Sequence, residues 1–278
     1  MSQTHEITDL LSLMEKLRDL EFGCNWDKKQ SLKSLTAYTL EEVYEVMDAV
    51  ETNDDAQLQD ELGDLLFQVI FYAQIAKEEG RFDFNDVISA ITSKLLRRHP
   101  HVFPDGTLSS FANSDLLQLN ADEVAVRWEQ IKNQERAEKA QRKGQQNSNS
   151  VLDDVPNSLP GLDRARKLQK RAASVGFDWK SVLPVLDKLK EEITELEIEI
   201  AKGDAVKIQE EFGDLMFSCV NVARHLQLDP ETALRESNRK FERRFRALEA
   251  QLAQQARPFE QLSEDELDAI WQQLKRAE

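Results

Sequence analysis

Leu189, Ile193, Leu196 and Ile200 recur at steps of four, three and four, the spacing that lays apolar side chains along one face of an α-helix. The segment ELGDLLFQVIFYAQIA at 61–76 has a different pattern. After Asp64 its apolar residues occupy nearly every side. A helix that is apolar all round must be covered all round, so a close helical partner is predicted, either the other half of the chain or a second chain. Helical periodicity runs through almost the whole sequence, and the fold class it predicts is all-α.

The pattern also repeats. LEEVYEVMDAV followed by DELGDLLFQVIFYAQIA (40–76) aligns with KEEITELEIEI followed by EEFGDLMFSCVNVARHL (190–226) at a constant offset of 150. Glu42, Glu45, Glu61, Gly63, Asp64, Leu65 and Phe67 fall on Glu192, Glu195, Glu211, Gly213, Asp214, Leu215 and Phe217. KLLRRH (94–99) aligns with KFERRF (240–245), and DEVAVRWEQIK (122–132) with DELDAIWQQLK (265–275), at slightly smaller offsets. Three blocks in one order indicate tandem duplication. The expected organisation is a helical domain over residues 1–133, a linker over 134–157 and a second helical domain over 158–278. The linker reads as a fraying helix, then coil rich in Gln, Asn and Ser and broken by prolines. HPHVFPDGTLSSFANSD (99–115) is a loop insertion in the first copy.

Composition supports long helices: 32% of residues are charged, 7% are aromatic, and glycine and proline number only 9 and 7. A net charge of −16 argues against a basic surface for nucleic-acid polymers. An acidic chain handling an anionic ligand needs cations between the two. Cys24 and Cys219 lack metal-ligand spacing and are expected to be small buried apolar residues. No apolar run reaches the ~18 residues of a membrane span, and the amino-terminal sequence lacks the pattern of a secretory signal. The cytoplasm is the expected location.

The chemistry lies in the acids. Each half carries E-E-x-x-E and then, sixteen residues after the last Glu, E-x-x-D. A spacing of three puts both acids of a pair on one helix face. The midpoint between Glu45 and Glu61 is Asn53, and between Glu195 and Glu211 it is Gly203; both residue types tolerate a left-handed turn. An antiparallel hairpin turning there sets Glu195 opposite Glu211 and Glu192 opposite Asp214, so four carboxylates converge. One such pattern in so charged a chain is ordinarily a solvated helix face. Two copies at identical spacing, each with a glycine inside the second acid pair, favour a site. Facing carboxylates repel unless neutralised, and all-oxygen donors suit Mg2+, with Mn2+ as a substitute, or Ca2+. Four acids leave room for two ions. A di-iron bundle needs Glu-x-x-His pairs, which His5, His99, His101 and His225 do not supply. No phosphate-binding glycine loop is present either.

Basic residues complete the pattern. Lys188 shares the helical face of Glu192 and Glu195, and Lys207 that of Glu211 and Asp214. Lys240, Arg243 and Arg244 form a third group, flanked by Phe241 and Phe245. The first half has Tyr38 and Gln57 where the second has Lys188 and Lys207, but keeps Lys94, Arg97 and Arg98. On charge alone the second half is better equipped for a triphosphate.

With these residues in view, the chain resembles the long, two-domain form of the MazG family of nucleoside triphosphate pyrophosphohydrolases. The resemblance rests on GCNWDKKQSLKSLTAYTLEEVYE, ELGDLLFQVIFYAQ, FDFNDV and RRHPHVF in the first copy. In the second it rests on VGFDWKSV, EEITE, EEFGDL, NVARHL, NRKFERRF and WQQLK. One departure is Asn25, where the family usually has proline before the tryptophan. The resemblance implies intertwined homodimers and cleavage between the α and β phosphates to a nucleoside monophosphate and diphosphate. It also implies broad base specificity, with ribonucleotides and deoxyribonucleotides as substrates. Glu192, Glu195, Glu211 and Asp214 would be metal ligands, as would Glu42, Glu45, Glu61 and Asp64 by the repeat. Lys188, Glu191, Lys207, Lys240, Arg243, Arg244 and Trp271 would line the nucleotide site. Trp271 stacks on the base or packs a helix; Glu191 orients or deprotonates a metal-activated water attacking the α-phosphorus, or faces solvent. The alternative is a non-catalytic helical scaffold that binds nucleotide or metal and signals to a partner protein, for which the heptad-like KLKEEITELEIEI is the supporting feature. A third is a calcium-stabilised structural bundle.

Overall fold

The computed structural model describes residues 4–111, 120–142, 150–153 and 155–276. Among them are ten α-helices and no strand. The chain divides into two compact units, Met1–Glu138 and Lys139–Glu278.

The first unit contains α1 (Ile7–Leu17), α2 (Leu35–Thr52), α3 (Asp55–Glu78), α4 (Phe84–Arg98) and most of α5 (Ala121–Arg142). Helix α3 is central and packs against α1, α2 and α4. Its Ile70, Phe71 and Ile75 bury themselves with Met14 of α1 and Leu35 of α2, and Leu10, Leu11, Phe67 and Phe84 close around them. Burial of such side chains stabilises by about 1.5–3 kcal/mol each. Arg18 fastens the end of α1. Its guanidinium donates to Glu78 at the end of α3 and to the Asp27 carbonyl, and lies over the Phe71 ring.

The second unit contains α6 (Gly161–Ala173), α7 (Val182–Lys202), α8 (Ala205–His225), α9 (Pro230–Gln254) and α10 (Glu264–Arg276). Helix α8 packs against α6, α7 and α9, and α10 packs on α9. Val185, Val220, Leu248 and Leu252 are fully or almost fully buried. Gln169 of α6 donates to the Phe217 carbonyl of α8 at 2.8 Å. Pro230 opens α9 where a missing N–H costs nothing, and Asp229 caps the Thr232 N–H.

The two hairpins, α2–α3 and α7–α8, turn where the repeat predicts. Asn53 (φ 55°) and Gly203 (φ 74°) are both left-handed. The next residue is an N-cap in each half: Asp54 accepts from the Ala56 and Gln57 N–H groups, and Asp204 from those of Val206 and Lys207. One left-handed residue followed by an aspartate cap stops one helix and starts the next within three residues.

Helix α3 is left partly uncovered by its own unit, in keeping with its expected need for a further helical partner: Leu62, Leu66 and Val69 are exposed, as are Phe212, Met216 and Phe217 on α8. The buried residues of α3 lie in its carboxyl-terminal part. One expectation is corrected: Cys24 and Cys219 are exposed rather than buried. Cys24 lies in the loop after α1, and Cys219 lies between the inward-facing Ser218 and Val220 of α8. The Cys219 thiol itself is recessed enough for burial to push its pKa up. Of the expected linker, the part through Arg142 continues α5, and 143–149 lie outside the described residues. In the 99–115 insertion a short 3-10 turn forms at Leu108–Ser110, and 112–115 are outside the description.

Candidate metal centre

Each hairpin brings three carboxylates together. One oxygen each from Glu42, Glu45 and Glu61 lie within 4.8 Å of one another, and the same holds for Glu192, Glu195 and Glu211. The first two acids come from α2 or α7 at a spacing of three. The third crosses from α3 or α8 because the turn sits midway. Asp64 and Asp214 lie one turn beyond, exposed and outside the triplets.

The electrostatics carry the strain of unneutralised acids. Burial, then the charges of Asp64, Glu45 and Glu61, raise the pKa of Glu42. Glu195 is raised by desolvation and by Glu192, Glu191 and Glu211, against a lowering from Lys188. Like charges at this separation suit a hard divalent cation, and the donor set is all oxygen. The donor chemistry therefore fits Mg2+ or Mn2+, whose shells retain positions for water and phosphate oxygens.

The second site has a lysine of its own. Lys188 Nζ is 2.7 Å from Glu191 Oε1 and 2.9 Å from Glu192 Oε1. Glu192 is the most buried acid of the six, at 5% exposure. Lys207 turns to Glu210 on its own helix rather than to Glu211; the i, i+3 spacing of Lys207 and Glu210 is the signal that sequence reasoning passed over. In the first site Tyr38 packs edge-on against Trp26 with centroids 5.5 Å apart. Gln57 makes a long hydrogen bond to Glu61 at 3.4 Å.

Lys240, Arg243 and Arg244 lie on α9, a different element from the carboxylate hairpin but one that packs on α8. Trp271 of α10 packs against Phe241, centroids 5.4 Å apart, in a row continued by Phe245 and Phe259. Glu191 projects on the exposed side of α7, tied to Lys188. The glycines inside the second acid pairs are open: a Cβ at Gly63 or Gly213 would meet no atom of the chain within 4 Å. Among the described residues, no other helix of the same unit packs closely enough to account for them.

Sequence reasoning did not single out Asp178. It accepts both Arg224 Nη1, at 2.9 Å, and Nη2, and lies 3.0 Å from His225 Nε2. This clamp ties the loop before α7 to the end of α8.

The fold and site define a tandem all-α protein whose halves each present a carboxylate-bearing helix hairpin. The family model for the MazG nucleotide pyrophosphohydrolase domain matches twice, at residues 30–103 and 180–248, spanning both hairpins. A nucleoside triphosphate pyrophosphohydrolase from Escherichia coli K12 is 50% identical over 276 residues, covering 99% of this chain and 98% of its own length. A protein named nucleoside triphosphate pyrophosphohydrolase/pyrophosphatase MazG, from Thermotoga maritima, is 42% identical over 267 residues, 96% of this chain and 94% of its own. A Mycolicibacterium smegmatis nucleoside triphosphate pyrophosphohydrolase is 35% identical over 173 residues, 62% of this chain and 47% of its own. This chain belongs to the MazG nucleotide pyrophosphohydrolase family, and is an enzyme of that class.

Proposed function

We propose that the chain hydrolyses nucleoside triphosphates to the monophosphate and diphosphate, with Mg2+ or Mn2+ held at the carboxylate triplets and the second half carrying most of the turnover. The observation that carries this reading is the repeated triplet, built twice by the same turn chemistry. Glu192, Glu195 and Glu211, with Asp214 one turn away, would hold the cation, and Glu42, Glu45, Glu61 and Asp64 would form the corresponding first-half set. When bound, the cation supplies Lewis acidity, neutralising phosphate charge and lowering the pKa of water. Lys188, Lys207, Lys240, Arg243 and Arg244 offset the charge that spreads over the phosphates as the bond to the α-phosphorus breaks. Glu191 sits beside Glu192 on the exposed edge, where its carboxylate receives the proton of an attacking water. Trp271 and Phe241 supply an apolar face for the base that any of the common bases and either sugar can satisfy, in keeping with broad specificity. A second copy of the chain covers the open faces of Leu62, Leu66 and Val69 and of Phe212, Met216 and Phe217, making the working form a homodimer.

The test is diphosphate release from a mixed pool of ribo- and deoxyribonucleoside triphosphates with Mg2+ and with chelator. The expected result is release of diphosphate, not orthophosphate, that chelation abolishes. Chelator-resistant release, or a nucleoside diphosphate product, would overturn the proposal.

A further inference from the structure

Glu192 is the acid of the second triplet least able to use solvent: its side chain is 6% exposed, against 35% for the Lys188 side chain that meets it. A buried carboxylate needs a cation or hydrogen-bond donors to offset lost hydration. Here the cation is on the chain, the Lys188 ammonium 2.9 Å from Glu192 Oε1 and 2.7 Å from Glu191 Oε1.

A cation at the triplet and the Lys188 ammonium both draw on the Glu192 carboxylate. A divalent ion held by the triplet would sit beside a like-charged ammonium already bonded to one of its ligands. Lysine is a compact charge on a flexible four-carbon stem, so it can leave if other acceptors replace the two carboxylates. A triphosphate offers such acceptors. In the first half the residue 150 positions earlier is Tyr38, which brings an aromatic ring against Trp26 and no positive charge.

We propose that Lys188 is a tethered counter-cation: it occupies Glu192 in the nucleotide-free enzyme, opposes metal binding there, and moves to the phosphates when substrate arrives. Metal and triphosphate binding are then positively coupled in the second half. By linkage the coupling is reciprocal. In the first half, where Tyr38 replaces the lysine, metal binding does not depend on nucleotide in this way. The proposal rests on the triplets being divalent-metal sites.

The experiment is Mn2+ titration of the full-length protein, followed by electron paramagnetic resonance of the free ion. It uses a Glu61→Gln background, so that the second half dominates the binding. The titration is run with and without adenosine α,β-methylene triphosphate, for Lys188 and for Lys188→Met, Lys188→Gln and Lys188→Arg. With Lys188, the analogue should tighten Mn2+ at least tenfold. Lys188→Met and Lys188→Gln should tighten nucleotide-free Mn2+ at least tenfold and flatten the dependence on the analogue; Lys188→Arg, which keeps the charge, should preserve the coupling. Nucleotide-free Mn2+ affinity unchanged in both neutral variants, with Glu211-dependent binding intact, would overturn the proposal and leave the metal site standing. Failure of the metal-site reading would look different: no Glu211-dependent Mn2+ binding in any variant, with or without analogue.

Discussion

The two hairpins share a backbone plan and differ in how their acids are neutralised. Both turn at a left-handed residue, both restart at an aspartate cap, and both gather three glutamates. Where the second half has Lys188 and Lys207, the first has Tyr38, packed against Trp26, and Gln57, bonded to Glu61. The geometry of a carboxylate site thus survives duplication more readily than the charges that suit it to a triphosphate. The loop clamps differ likewise. In the first half an arginine before the hairpin, Arg18, reaches an acid on its second helix, Glu78. In the second half the acid, Asp178, comes before and the arginine, Arg224, sits on the helix. The sign is reversed, and the attachment of loop to helix is kept.

The largest expected contrast comes from the crossing glutamates. Glu211→Gln should reduce diphosphate release on the order of 10²–10³-fold, the scale of losing one preorganised charged group at a reacting centre, with helical content unchanged by circular dichroism. Glu61→Gln should leave most turnover in place. Equal losses from the two would mean that both halves turn over substrate and that the charge comparison carries no functional weight. Next in size is Lys207. Lys207→Ala should raise KM roughly tenfold, as loss of one charge-assisted contact implies, while Lys33→Ala should change it little. Equal KM effects would remove Lys207 from the substrate's path and leave it as the partner of Glu210.

Much of this was legible before the fold. Equal spacing of the acids about Asn53 and Gly203 located both turns, because an antiparallel hairpin must place its reversal midway between residues that meet. The third glutamate of each triplet follows from that. Asp64 and Asp214 were expected to join them; the charge of Asp64 acts on Glu42 ahead of those of Glu45 and Glu61, although neither aspartate lies within the 4.8 Å triplets. The pairing of Lys188 with Glu191 and Glu192 together was hidden, since i, i+3 and i, i+4 spacings both allow contact and neither says which forms. The apolar pattern of α3 states a demand for burial beyond what one small bundle supplies, without naming what meets it. The Asp178 clamp joins residues 46 and 47 positions apart, beyond the range of any local rule.

The clamps offer a smaller contrast, in stability. The Arg224 hydrogen bonds hold the Asp178 carboxyl below its ordinary value of 3.8 against the opposing effect of burial, with His225 adding to them. At Glu78 burial works upward, but Arg18 and Gln74 outweigh it and the carboxyl is again lowered. A depressed carboxylate stabilises fully above its unfolded pKa and loses that contribution as pH falls through its folded value. Asp178→Asn should therefore cost about 1–3 kcal/mol at neutral pH, and the gap from the parent protein should narrow below about pH 4. Thermal melts at pH 7 and pH 3 test this. A pH-independent gap would assign the loss to packing and not to charge.

The smallest effect bears most directly on what approaches each site. Alanine is favoured over glycine inside a helix by about 1 kcal/mol, and at Gly63 and Gly213 the chain itself leaves space for the added methyl. Both Gly63→Ala and Gly213→Ala should therefore raise the melting temperature, by about 2–4 °C for a protein of this size. Their effects on catalysis should separate. Gly213 lies between Glu211 and Asp214, on the helix that faces substrate in the proposed active half, so its methyl should reduce kcat/KM while stabilising the fold. Gly63→Ala should stabilise without that loss. If Gly213→Ala is stabilised and fully active, nothing closes on that helix during turnover, and the glycine shared by the two halves is a remnant of duplication. If both variants are destabilised, a partner chain packs against the two glycines, and the open space belongs to the single chain alone.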